Sequence, residues 1–502
     1  MELSDLGSNL SLGLGVALTF QNLFWCLMGA IIGTAVGVLP GLGPVATMAL
    51  LLPVTYYLPP EGALIMLAGI YYGAQYGGST TAILVNLPGE SSSVVTCLDG
   101  YQMARQGRAG AALAIAAIGS FFAGCVATLL IAVAAPPLVA LAQQFGPADY
   151  CSLMVLGLVT AVVMAHGSVV KAIGMIFIGL LLGIAGTDVN TGNLRYTFGI
   201  GILFDGINFV PIAMGVFGIN EIMNNLTNPE RRELVSSKVT GLMPTKKDLK
   251  DSYPAILRGT AIGSILGVLP GGGGVLASFA SYSIEKKLAK DPSRFGKGAI
   301  EGVAGPEAAN NAAAQTSFIP MLTLGIPSNA VMAMMVGGMM IHGIIPGPQV
   351  MSEKPGLFWG MIASMWIGNA MLIIFNLPMV GIWVKMLTVP YRLLSIAILF
   401  FCCIGVYSIN NSAEEVLLIT FFGFVGYVFV KLNCEAAPML LGFILGPMME
   451  TYLRRAMLLS RGDPMVFLER PLSLGFLIAA GILLVIIILP NIRKARETAF
   501  VE

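Results

Sequence analysis

The stretch Gly305–Ala330, GPEAANNAAAQTSFIPMLTLGIPSNA, places Glu307, Asn310, Asn311, Gln315, Thr316, Ser317, Thr323, Ser328 and Asn329 in an otherwise apolar chain. No Lys or Arg occurs between Gly298 and Glu353. Amides and hydroxyls without a cationic side chain can hold an anion through N–H and O–H donors. With a carboxylate they can hold a cation through oxygen. Polar groups at membrane depth are costly and need partners. The helical pattern also breaks at Pro320 and again over Gly325, Ile326 and Pro327. Such breaks are tolerated only where they are packed in protein or line a wet cavity.

A second copy stands at Tyr71–Ser93, YYGAQYGGSTTAILVNLPGESSS. With Pro88 set on Pro327, a run of small and polar residues leads into an apolar run in both. That run ends in Asn86-Leu87-Pro88-Gly89 in one copy and Gly325-Ile326-Pro327-Ser328 in the other. Upstream, Gly37-Val38-Leu39-Pro40-Gly41-Leu42-Gly43 recurs as Gly267-Val268-Leu269-Pro270-Gly271-Gly272-Gly273. Downstream, Leu182-Gly183 and Arg195 recur as Leu441-Gly442 and Arg454. The matches keep one order with slowly growing offsets. We read two homologous halves of roughly 230 residues, expected to be inverted.

One such break alone is as well explained as a kink whose freed backbone is tied up by Ser and Thr. Two broken helices at corresponding places point instead to a transport site at mid-membrane. The positive end of a half-helix attracts anions, and freed carbonyls suit a hard cation. The expected substrate ligands are Ser79, Thr80, Thr81, Asn86, Pro88 and Gly89 in the first copy. In the second they are Asn310, Asn311, Thr323, Pro327, Ser328 and Asn329. The expected cation ligands are Pro40, Gly41, Gly43, Pro270, Gly271 and Gly273, through carbonyls, with Glu307. Glu90 stands at a break and is either wet or functional. Asp205 and Glu221 are expected to cap, pair or face water, and Glu414, Glu415, Glu435 and Glu450 to be interfacial.

The elements that must position these residues are membrane helices. The 502 residues are 56% hydrophobic and 11% charged, against about 25% charged in soluble domains, and mean hydropathy is +0.84. The expected fold is an all-α polytopic membrane protein of about twelve crossings, each of about 20 residues, with broken helices or re-entrant hairpins. A first span is expected over 21–38. Residues 42–58 are expected to form a re-entrant or interfacial hairpin, and 61–87 a helix. Residues 91–109 are expected to leave the membrane. Further spans are expected near 111–142, 148–165, 168–186, 199–224, 253–269, 275–288, 320–345, 356–388, 391–408, 412–431, 434–452 and 472–490. The organisation is a first repeat over 1–225, a charged linker over 226–254, a second repeat over 255–490 and a tail over 491–502. The basic linker favours the cytoplasmic side. Positive residues flank both ends of the last span and leave the C-terminal side open. MELSDLGSNL lacks a positive n-region, so the first helix is expected to be an uncleaved signal.

A net charge of +1 suggests no nucleic-acid partner. The seven cysteines form no CxxC pair and read as small core residues. With only His166 and His342, no histidine metal cluster can form. No nucleophile–base set is readable, so an intramembrane enzyme is disfavoured. The GGGG run at 271–274 lacks the Lys-Ser/Thr of a phosphate loop. Drive must therefore come from an ion gradient or another subunit.

The chain resembles the large membrane subunit of the tripartite tricarboxylate transporters. The match is carried by GxxxGVLPGLGP at 33–44, YGGSTTAILVNLPGE at 76–90, GVLPGGGG at 267–274 and the stretch at 305–330, with FDGI at 204–207 and LRRAMLLSRGD at 453–463. Gln315-Thr316-Ser317 stands where smaller residues are expected. The resemblance implies a multi-pass protein of the bacterial inner membrane. It implies uptake of citrate or related carboxylates with Na⁺ or H⁺ and no other cofactor. It also implies separate partner chains: a small four-helix membrane subunit and a periplasmic substrate-binding protein. A homodimer is a further candidate assembly. The rival reading is a carboxylate channel or exporter that works without a binding protein.

Overall fold

The computed structural model describes residues 3–39, 43–165, 168–188, 190–227, 241–269, 273–387 and 391–488. Pro40, Gly41, Pro270, Gly271, His166, residues 228–240 of the linker and the tail at 491–502 lie outside the described residues. Among the described residues the chain is helical, apart from a two-stranded antiparallel hairpin that pairs Gly186 with Arg195 and Thr187 with Leu194.

Two helices, Pro60–Val85 and Glu301–Thr316, form the centre. Each carries one of the two polar stretches, and each is buried to its last residue, from Gly62 in the first and from Gly302 in the second. Both are clamped the same way. Phe20–Gly37 lies along Pro60–Val85 through Gly29, Gly33 and Gly37, and a Cβ on these would stand 2.3–2.4 Å from the carbonyl oxygens of Met66, Ile70 and Ala74. Lys246–Val268 lies along Glu301–Thr316 through Gly259, Gly263 and Gly267, where a Cβ would stand 2.1–2.4 Å from the oxygens of Gly305, Ala309 and Ala313. In lipid, helix association rests on close packing rather than on the hydrophobic effect, and small residues at every fourth position permit that approach.

Glu301–Thr316 also packs on Ala109–Ala142, Gly273–Leu288 and Val94–Arg105. A second layer pairs Val169–Gly183 with Ala437–Leu459, Pro147–Met164 with Pro471–Ile488, and Ala413–Lys431 with the segment over 209–227, which contains a π-turn at Met214–Ile219.

Among the described residues four helices are long and apolar enough to cross a membrane: Phe20–Gly37, Ala109–Ala142, Pro355–Asn376 and Ala413–Lys431. Several others, including Pro44–Thr55 and Ala330–Ile341, are of half length. Some expectations differ from this arrangement. Residues 91–105, in the stretch expected to leave the membrane, form a short 3₁₀ turn and helix packed on the centre. Asp99 there is fully buried and accepts from the N–H groups of Gly298 and Ala299 at 2.8 Å and from the Tyr282 hydroxyl at 3.0 Å. Its three donors make that burial affordable. The span expected at 199–224 begins only at Phe209, because Phe198, Gly199 and Gly206 have positive φ and break the helix before it. The helix Lys246–Val268 begins inside the stretch read as linker, set by a Thr245–Asp248 capping box.

Arg454 clamps the hairpin, donating to Asp188 at 2.8 Å and to Glu450 at 2.6 Å, while Arg195 reaches Glu450 at 2.7 Å. The bond from Arg454, with the N–H of Asn190, holds the Asp188 carboxyl well below the usual range. A depressed carboxylate contributes stability above its unfolded value, about 3.9, and loses it as pH falls toward the folded value. Amide protection over 186–195, corrected for intrinsic exchange, should therefore hold at neutral pH and decline in acid below pH about 4. Asp188→Asn should flatten that profile. The packing makes a second prediction. Gly263→Leu should destabilise the chain by at least about 1–3 kcal/mol, read as lost monodisperse protein in detergent. Gly15→Leu, with nothing within 4 Å, should behave as the parent does.

Candidate functional site

The two breaks share one backbone course. Pro60–Val85 ends on Asn86 in the left-handed region (φ 60°, ψ 27°), and Phe318–Leu324 ends on Gly325 in the same region (φ 75°, ψ 16°). Two residues later comes the proline. Glu90 (φ −150°, ψ 165°) and Asn329 (φ −155°, ψ 175°) then cap the next helical segment. Asn329 accepts from the Met332 N–H at 2.9 Å. The first tip is pressed tightly inward: a Cβ on Gly89 would lie 2.4 Å from Gly78 Cα and 2.5 Å from the Gly37 oxygen.

Both tips open on a cavity of about 800 Å³. The first turns of five helical segments line it. They begin at Gly43–Val45, Ser91–Ser92, Gly273–Leu276, Ala330–Val331 and Ala437–Pro438. Tyr71 and Gln75 add one polar face of Pro60–Val85, and Glu90, Glu221 and Glu435 bring three carboxyls. No Lys, Arg or His lines it among the described residues.

A polar seam runs from the cavity wall between the two central helices. Asn310 Nδ2 donates to Gln75 Oε1 at 2.7 Å and to Glu90 Oε1 at 2.9 Å. Ser92 donates to the same Glu90 oxygen at 2.5 Å. One turn earlier on its helix, Glu307 accepts from Ser79 Oγ at 2.6 Å and from Thr96 Oγ1. Asn311 Nδ2 donates to Ser120 Oγ at 2.6 Å. The seam ends at a second cavity of about 20 Å³, lined by Ser79, Thr80, Ser120 and Asn376 among others.

The expected ligand set therefore divides. Pro88, Gly89, Ser328 and Asn329 line the large cavity, as do Gly43 and Gly273. Asn310 stands one hydrogen bond behind its wall. Ser79 and Thr80 face the small cavity. Thr81 donates to the Val38 oxygen at 2.7 Å and ties two helices together. Thr323 bonds back to Ile319 O at 2.8 Å, and Pro327 is buried without lining the cavity. Asn86 is exposed and serves as the helix terminator, since it tolerates the left-handed conformation. Asn311 points to Ser120, and Glu307 lies in the seam. Gln75, Ser92, Thr96, Ser120 and Asn376 were not anticipated. The i, i+4 stripe of Tyr71, Gln75 and Ser79 was the available signal for the first of these.

Helix starts converging on a cavity, in a multi-pass α-helical chain, match the arrangement of a broken-helix transport site. Residues 23–441 match the tripartite tricarboxylate transporter TctA family, and the chain belongs to it. It is similar to an Agrobacterium vitis protein, "Uncharacterized 52.8 kDa protein in TAR-I ttuC' 3'region", at 60% identity over 99% of both chains. It is also 60% identical to a second protein from that organism, "Uncharacterized protein in TAR-II ttuC' 3'region", over 48% of this chain and 99% of that one. No solved structure matches the chain.

The seam makes its own prediction. Thr96→Val removes a donor from a buried carboxylate and should cost about 1–3 kcal/mol, seen as a lower melting temperature in detergent. Adding Glu307→Gln should cost less than the two single changes sum to, because the acceptor charge that needed the donor is gone.

Proposed function

We propose that this chain is the transport subunit for uptake of citrate or a related carboxylate across the bacterial inner membrane, coupled to Na⁺ or H⁺. In this reading a periplasmic binding protein delivers the substrate, and a small four-helix membrane subunit completes the assembly. Family membership supports transport as the activity. The observation that carries the substrate class is the large cavity, where five helix starts converge without one basic side chain. Free N–H groups at helix starts are ready anion sites. Hydrogen bonds from Ser328, Asn329 and the tip at Pro88–Gly89 would then orient the carboxylates.

The same cavity supports coupling to a cation. Each helix start carries about half a positive charge. That charge is shared with the Glu90 carboxyl at the wall, so the helix starts alone do not neutralise a substrate with two or three negative charges. Like charges at 4 Å cost about 4 kcal/mol per pair at an effective dielectric near 20. Protons or metal cations entering with the substrate remove that cost.

The shared backbone course at Asn86–Glu90 and Gly325–Asn329, and the shared glycine clamps, support two repeats, which we take to be inverted. One tip would then approach the cavity from each side. The test is uptake of labelled citrate and a dicarboxylate panel into proteoliposomes holding this chain and its small partner, with and without binding protein and a Na⁺ or pH gradient. Uptake that requires the binding protein and one gradient is expected. Flux that needs neither would replace this reading with a channel. Asn310→Ala, which frees Glu90 and Gln75 at the cavity wall, should lower uptake at least about tenfold, equivalent to about 1.4 kcal/mol. Uptake equal to the parent's would remove Asn310 from the site.

A further inference from the structure

The small cavity differs in chemistry from the large one. At about 20 Å³ it exceeds the roughly 10–15 Å³ that one water-sized occupant needs. Its polar wall offers acceptors. The Ser79 hydroxyl donates to Glu307 at 2.6 Å and lies 3.1 Å from the Gln75 oxygen, and the Thr80 hydroxyl donates to the Tyr76 oxygen at 3.2 Å. Their hydrogens are spent elsewhere, which leaves oxygen lone pairs to the cavity. Ser120 Oγ accepts only one donor, from Asn311. Asn376 is 7% exposed, and its Oδ1 has no hydrogen-bond partner.

One further feature favours positive charge there. Glu307 lies one hydroxyl behind Ser79, and among the described residues no Lys, Arg or His pairs with it. A buried carboxylate without a counter-charge is costly.

We propose that this cavity binds one sodium-sized monovalent cation through Ser79 Oγ, Thr80 Oγ1, Ser120 Oγ and Asn376 Oδ1, with the charge of Glu307 balancing it. Leu113, Ala116, Ala117, Leu377 and Val380 complete the lining, and four side-chain oxygens with a single nearby charge suit a hard monovalent ion. The proposal rests on the cation-coupled reading and gives the cation a place apart from the substrate. The seam through Glu307, Asn310, Gln75 and Glu90 then joins the two sites, so filling one alters the hydrogen bonds that shape the other.

The test is equilibrium binding of radioactive sodium to the purified full chain in detergent, without substrate, with potassium as competitor. The parent should bind sodium in preference to potassium. Asn376→Ala and Ser120→Ala should each weaken it about tenfold or more, while Asn376→Asp, which keeps an oxygen in place, retains it. At saturating sodium, Asn376→Ala should still show a citrate-induced rise in melting temperature, which separates a lost cation ligand from a misfolded chain. Parent-like sodium binding in both alanine variants would place the cation elsewhere and leave coupled uptake standing. Uptake driven by protons, with no sodium bound by the parent, would overturn the site and leave the carboxylate reading intact. Uptake that needs no gradient of either ion would remove the coupling as well.

Discussion

Two helices buried over almost their whole length carry the two polar stretches that lead to the breaks, and that imposes the constraint on everything around them. In such a place each amide, hydroxyl and carboxyl must find a partner inside the protein. Pro60–Val85 and Glu301–Thr316 supply much of each other's need, Ser79 to Glu307 and Asn310 to Gln75, and Asn310 also reaches Glu90 beyond the break. The glycine clamps follow from this. Only close backbone approach by Phe20–Gly37 and Lys246–Val268 leaves the central pair in register while keeping lipid away from the polar faces.

The two breaks are alike in backbone and unlike in chemistry. Asn86 and Gly325 both end a helix in the left-handed conformation, and a proline stands two residues on in each case. The caps that follow are Glu90 and Asn329, one acidic and one neutral. Two like backbone courses therefore present unlike chemistry to the large cavity, a carboxyl at one and an amide at the other. Asn310 binds the acidic side only. This asymmetry gives the cavity a direction and ties the charge at its wall to the interior seam.

The helical membrane class, the two broken segments and the tips at Pro88–Gly89 and Ser328–Asn329 were legible in the sequence, because prolines and polar residues inside apolar runs mark departures from a simple span. The division of the ligands was not legible. Ser79, Asn310 and Asn311 lie in similar polar runs, yet helix rotation sends them to the small cavity, the cavity wall and Ser120. That phase depends on which face the glycine clamp occupies. Asp99's partners were not legible either, since two backbone N–H groups and a tyrosine hydroxyl reach it from residues far along the chain. Asn376 and Ser120 could not be found locally. They reach the seam from other helices, through contacts spanning hundreds of residues.

The central claim is that helix starts, rather than basic side chains, hold a carboxylate substrate in the large cavity. A cryo-electron microscopy structure of the chain with bound citrate tests it most directly. The account predicts citrate density in that cavity, its carboxylate oxygens within hydrogen-bond reach of backbone N–H groups around Ser328–Val331, Ser91–Ser92 or Gly273–Val275. Density seated on lysine or arginine side chains elsewhere would contradict it.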